Sequence, residues 1–316
     1  MKKTLKTLTA SLFVASLLYA GSFEDGVNSY LSKDYTKAYE IFFKLANENN
    51  PNAQYNLAIM YQKGLGVEKN LYESFVWLEK ASNLGNVQAQ NNLAYYYEHG
   101  LVGEKNTIKA IEWYEKAANS GYAVSQLNLA MIYEQHSLDK EYQKKAFDLY
   151  EKAATQGVIP AQNNLARFYY FGFGTDKDMK KAAYWYEEAA KRDNNVAAFN
   201  LALMYYSGEG VPKDNDKTLY WLEKAASLEN KFAQTQLADF YRSGELVTQD
   251  YEKALFWYFE AATQEYAKAQ YYVGLFYYEG YGVAQDKEKG LFWMTKAKQN
   301  GYSFADAFIK RVSKKD

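Results

Sequence analysis

The hexapeptide AQNNLA occurs at residues 89–94 and again at residues 161–166, 72 residues apart. Midway between them, SQLNLA at 125–130 is a degraded third copy, so the period is 36 residues. No other feature constrains the fold as much. A unit this short cannot enclose a core of its own and must bury its apolar face against neighbouring copies.

Steps of 36 from Ala53 reach Ala89, Ser125, Ala161, Ala197, Ala233, Ala269 and Ala305. Four residues on (+4) stand Leu57, Leu93, Leu129, Leu165, Leu201, Leu237 and Val273, each followed by Ala or Gly at +5. At +8 come Tyr61, Tyr97, Tyr133, Tyr169, Tyr205, Tyr241 and Tyr277. Positions 0, +4, +5 and +8 share one face of an α-helix, and the small residue lets a second backbone approach. Gly64, Gly100, Gly172, Gly208, Gly244 and Gly280 at +11 mark its end, because glycine enters the left-handed conformation cheaply. The second half of the unit repeats the logic: Ser74, Trp77, Leu78, Ala81 and Ser82 share a helical face. All six tryptophans fall on the Trp77 register, at 77, 113, 185, 221, 257 and 293, so they read as packing anchors rather than ligand contacts. The pattern predicts an all-α protein, an α/α solenoid of 36-residue helix-loop-helix repeats.

The residues of this pattern, A-x-x-x-L-A-x-x-Y-x-x-G-x-G-V followed by K-A-x-x-W-Y-x-K-A-A-x-x-G, resemble the Sel-one-like repeat, a tetratricopeptide-like family. Residues 197–228, AAFNLALMYYSGEGVPKDNDKTLYWLEKAASL, carry the resemblance most cleanly, and it extends over residues 23–310. It implies a right-handed superhelix with seven repeats at residues 51–302. Residues 21–50 keep the second-helix register (Ala38, Ile41, Leu45, Ala46) with a shortened loop and read as an amino-terminal capping repeat. Residues 303–316 read as a carboxy-terminal capping helix. The third unit, YEQHSLDKEYQKKAF, lacks both loop glycines, which points to a longer helix or a change of curvature.

Residues 1–20 have basic Lys2, Lys3 and Lys6, then an apolar run ending at Tyr19 and a small residue, Ala20. This is the order of a secretory signal peptide. The expected location is therefore periplasmic or extracellular, without a stable membrane anchor after cleavage. The chain holds no cysteine, which removes disulfides and thiolate chemistry. Its 37 basic residues nearly balance 38 acidic ones, leaving no footprint for nucleic acid. Neither cofactor nor metal is expected, and the chain is expected to be a monomer.

In tetratricopeptide-like arrays the side of the first helix opposite the packed arc lines the concave surface. Here that side carries Tyr55, Phe199 and Tyr271 at +2, and Tyr95, Met131, Arg167 and Leu203 at +6. Large apolar groups where a solvent face would be charged suggest an interaction surface. At +3 runs a ladder of Asn56, Asn92, Asn128, Asn164 and Asn200. An amide both donates and accepts, so such a row can pair with the backbone of an extended peptide. The resemblance implies this role too, since relatives with a peptide groove use asparagine there. The rival role is a set of buried hydrogen bonds between helices. The glutamines at +1 point into the packed side and read as structural.

The sequence thus suggests an exported scaffold that binds a protein or peptide through its concave face, with no catalytic residue. Two alternatives stand beside it. Some secreted, cysteine-rich members of the family are described as β-lactamase-like or penicillin-binding. Serine β-lactam chemistry would need S-x-x-K with companion elements. Here only Ser137 to Lys140 fits, near His136, without those companions. His99 and His136, the only histidines, lack a ligand motif. The other alternative is binding of cell-wall glycan by the tyrosine-rich groove.

Overall fold

The structure, a computed structural model, describes residues 21–135 and 139–312. The leader predicted at residues 1–20, together with His136 and Ser137, lies outside the described residues. Seventeen α-helices and no strand occur among the described residues. The chain divides into two compact units, Met1–Gln135 and His136–Asp316.

The first unit holds α1 (Phe23–Leu31), α2 (Tyr35–Asn47), α3 (Pro51–Lys63), α4 (Leu71–Asn83), α5 (Val87–His99), α6 (Thr107–Asn119) and α7 (Ala123–Glu134). The second holds α8 (Lys140–Thr155), α9 (Ile159–Phe171), α10 (Met179–Lys191), α11 (Asn195–Ser207), α12 (Asn215–Ser227) and α13 (Lys231–Ser243). It continues with α14 (Tyr251–Thr263), α15 (Ala267–Glu279), α16 (Lys287–Gln299) and the capping helix α17 (Ser303–Val312). Within each unit successive helices pack on one another, as an α/α solenoid requires.

Local chemistry sets the boundaries. Asn70, Asn106, Asp178, Asp214, Asp250 and Asp286 each cap a second helix by accepting a backbone N–H three residues on. The +11 glycines end the first helices in the left-handed conformation, with Gly208 at φ 76°. A second glycine two residues later allows the loop to touch the preceding second helix. A Cβ on Gly210 would sit 2.2 Å from the carbonyl oxygen of Met179. In the third repeat, where both glycines are missing, α8 is 16 residues long against 13 for the second helices of the four repeats that follow. The longer helix expected from sequence is present.

The packed arc is the one the period predicts. Leu57, Leu93, Leu165, Leu201, Leu237 and Val273 are wholly buried, as are the alanines beside them. The residue at +7, among them Met60, Tyr96, Phe168 and Phe276, is buried as well. Trp77 takes Phe43 of the preceding second helix edge-on at 6.4 Å, and Trp293 takes Phe259 at 5.5 Å, so these tryptophans join successive units.

The +1 glutamines reach across the same junction. Each Nε2 donates to the carbonyl eight residues earlier, near the end of the preceding second helix. Gln54 bonds Ala46, Gln90 bonds Ser82, Gln126 bonds Ala118, Gln162 bonds Ala154, Gln234 bonds Ala226 and Gln270 bonds Ala262, at 3.0 to 3.3 Å. Each of these carbonyls also accepts a backbone N–H of the turn that follows, from Asn49, Gly85, Gly121, Gly157, Glu229 and Glu265 in the same order, so the glutamine adds a second donor from the next helix. Only Ala198 breaks the row.

The second helices end in a turn that demands positive φ. Gly85, Gly121, Gly157 and Gly301 fill it at φ 84–85°, but Asp193, Glu229 and Glu265 hold the same register at 59–63°. A side chain there costs about 1 kcal/mol or more relative to glycine. Glu229→Gly and Glu265→Gly should therefore each raise stability by about 1 kcal/mol in urea denaturation. Unchanged or lowered midpoints would contradict the strain assigned to these turns.

Candidate interaction surface

The first-helix face opposite the packed arc is divided between the two units. In the first unit α3 supplies Tyr55 and Asn56, α5 supplies Asn92 and Tyr95, and α7 supplies Asn128 and Met131. In the second, α9 supplies Asn164 and Arg167, α11 supplies Phe199, Asn200 and Leu203, and α15 supplies Tyr271. Tyr95, Met131 and Leu203 are 43 %, 47 % and 38 % exposed, and the rest of this set is half-buried.

The aromatic members are braced by neighbours. The His99 ring stacks on Tyr95 with centroids 4.0 Å apart, and its Nδ1 lies 3.1 Å from the Tyr95 carbonyl oxygen. His99 thus supports the face rather than a metal. No cluster of ligating side chains occurs among the described residues. Phe199 packs on Phe232 of α13 at 6.2 Å, while Tyr271 packs on Tyr302 at 5.3 Å and on Phe308 of the capping helix at 6.5 Å.

The asparagine ladder is engaged within the protein. Asn128 Nδ2 donates to Asn91 Oδ1 at 3.1 Å, and Ser125 Oγ donates to the same oxygen at 2.9 Å, which joins α7 to α5. Asn91 Nδ2 donates in turn to Asn92 Oδ1 at 3.2 Å, and Asn163 Nδ2 to Asn164 Oδ1 at 3.3 Å. Asn91 and Thr235, at the +2 position, are buried rather than turned toward the face.

Sequence reasoning missed the tyrosine that follows the tryptophan in several second helices. Tyr114, Tyr186 and Tyr258 are buried, yet their hydroxyls meet polar groups of the first helices. Tyr114 donates to Glu98 Oε2 at 2.9 Å. Tyr258 donates to Asp239 Oδ1 at 2.5 Å and accepts from Arg242 Nε at 3.1 Å, and Lys268 Nζ pairs with Asp239 Oδ2 at 2.8 Å. The repeated W-Y pair was the available signal. The register of those hydroxyls against Glu98 and Asp239 depends on helix packing, which the pair does not encode.

Burial pushes the Tyr186 hydroxyl up to about 12, with the Arg167 guanidinium and the Asn200 side chain pulling the other way. Tyr114 and Tyr258 are raised further by burial, with the Glu98 and Asp239 charges beside them adding to it. Because the folded state holds the Tyr186 phenol neutral, its contribution is complete below the ordinary tyrosine range near 10 and is lost as pH rises through about 12. Stability should fall over that interval, and Tyr186→Phe should flatten the fall by roughly 3 kcal/mol at most. Chemical denaturation at stepped alkaline pH reads this; an equally steep fall in the variant would contradict it.

A helix-loop-helix solenoid whose second residue row clamps the preceding helix, with an amide and apolar row on the free side, has the build of a repeat scaffold. The chain belongs to the Sel1 repeat family, whose model matches at residues 14–50, 51–86, 87–122, 123–158, 159–194, 195–230, 231–266 and 267–302. The first of these matches covers the segment read above as a capping repeat. Among solved structures, c5321, a protective antigen of uropathogenic Escherichia coli displaying an SLR fold, is similar with a TM-score of 0.81 and 27% identity. That match covers 87% of this chain and 59% of c5321, so the chain spans under two thirds of that relative's length. A Sel1 repeat protein from Oxalobacter formigenes is similar with a TM-score of 0.75 and 29% identity, over 91% of this chain and 86% of that one. No curated protein matches the chain.

Proposed function

We propose that this protein is an exported scaffold that holds a protein or peptide partner on the first-helix face of its repeats. The observation that carries the reading is the exposure of Tyr95, Met131 and Leu203 at one repeated position of that face. A helix needs no large apolar group there for its own packing, and such groups mark an interaction surface. The half-buried ladder beside them plays a supporting part. Asn128 is tied to Asn91 across α7 and α5, which holds together the helices from which Met131 and Tyr95 project, and Asn92 accepts from Asn91 within α5. Export rests on the basic-then-apolar order of residues 1–20. No described helix is long and apolar enough to cross a membrane.

A photoreactive amino acid placed at Met131 or Leu203 should capture a specific partner in the exporting cell, while the same group at the exposed Tyr72 should not. Met131→Asp and Leu203→Asp, at exposed positions that leave the fold intact, should lower that capture about tenfold or more. Capture that is equal from all three positions, or unmoved by both substitutions, would contradict the reading.

A further inference from the structure

The second unit carries a row of aromatic rings on the opposite side, on its second helices. Tyr184 of α10, Tyr220 of α12, Phe256 of α14 and Phe292 of α16 each stand immediately before the tryptophan, and each is 54 to 59 % exposed. Every ring is held edge-on by that tryptophan, with centroids 5.1, 4.9, 5.0 and 5.8 Å apart in chain order. The rings are thus fixed in place without being covered. Elsewhere the same register reads Glu40, Val76, Glu112 and Asp148, so the row belongs to these four helices and is not a requirement of the repeat.

The charges one turn further along each helix alternate: Glu188, Lys224, Glu260, Lys296. A row that alternates in this way is its own complement when reversed. A two-fold axis parallel to the helices, passing between α12 and α14, sets α10 against α16 of a second copy and α12 against α14. Glu188 then faces Lys296, and Lys224 faces Glu260, each pair occurring twice. The other two-fold, along the row through the rings, would set Glu188 against Lys180, Lys224 against Asp216 and Lys296 against Glu288 but Glu260 against Glu252, so the swap of Glu188 with Lys296 tells the two axes apart. Area agrees with a small interface. Four half-exposed rings leave on the order of 400 Å² per copy. Two such rows with their flanking side chains come to roughly 1,000 Å² in total, the lower bound for a specific contact.

We propose that the outer face of the second unit is the contact between two copies of this chain, related by the two-fold axis parallel to the helices. This departs from the monomer that the sequence alone suggests, and it leaves the first-helix face free. One row opposes it in part: four residues before the rings stand Lys180, Asp216, Glu252 and Glu288, which pair at the ends and bring two acids together at the centre.

Sedimentation velocity of the full chain over a concentration series tests the proposal, with circular dichroism confirming the fold of each variant. The native chain should dimerise with concentration, and Tyr220→Glu combined with Phe256→Glu should abolish this. Glu188→Lys should weaken the dimer about tenfold, and adding Lys296→Glu to the same chain should restore it. Glu252→Lys should strengthen it by facing Asp216 with a base. A native chain that stays monomeric, a dimer that survives loss of both rings, or a charge swap that fails to restore it would each overturn the proposal.

Discussion

The glutamine at the second position of six of the seven repeats is the contact on which the array depends most. Its Nε2 is a second donor to a carbonyl near the end of the previous second helix, as with Gln234 and Ala226 at 3.1 Å, beside the Glu229 backbone N–H. A hydrogen bond of this kind contributes about 0.5–1.5 kcal/mol at each junction that has it. The bond also fixes register, since only one rotation of the first helix brings the glutamine to that carbonyl. Once that rotation is set, leucine at +4 and alanine at +5 must face the core, and the residues at +2, +3 and +6 must face away from it. The clamp and the apolar arc thus agree on which side chains stay off the core, and α11 keeps the same arc with Ala198 in place of the glutamine. Its partners vary: Gln264 donates to the Gln234 Oε1 at 2.9 Å and Asn300 to the Gln270 Oε1 at 2.9 Å, whereas the Oε1 of Gln54, Gln90 and Gln162 has no donor. In the units of Gln54, Gln90 and Gln162 the residue that would donate is Leu84, Ser120 or Arg192.

The repeat made most of the fold legible in the sequence. Helix ends were readable because Gly208 and its counterparts demand a left-handed turn, and the buried arc was readable because Leu201 and Ala202 recur with it. The lengthening of α8 followed from two absent glycines. The face chosen for recognition was readable as a side of a helix, but its internal bonding was not. That Asn91 would be buried and collect hydrogen bonds from Ser125 and Asn128 depends on the distance between α5 and α7, which no spacing within one unit reports. The outer aromatic row escaped notice for a related reason. Tyr184, Tyr220, Phe256 and Phe292 look like part of an aromatic motif around tryptophan, and only exposure separates the ring that packs from the ring that does not.

The two halves of the repeat thus have different freedoms. First helices are clamped on one side and present amides and scattered apolar groups on the other, chemistry suited to holding a chain of another protein. Second helices are anchored by tryptophan, and in the second unit they present a regular row whose charges match its own reversal.

The most direct test of the central claim is amide hydrogen exchange of a Gln234→Met variant compared with the native chain. Methionine keeps the volume and removes the side-chain donor, so the carbonyl of Ala226 keeps only the Glu229 backbone N–H and the bond between the two helices is lost while the core stays filled. The account predicts that the last turn of α12 and the whole of α13 exchange faster together, by about tenfold or more, because one bond fixes both. Faster exchange confined to the last turn of α12, with α13 unchanged, would contradict it and assign the register to apolar packing alone.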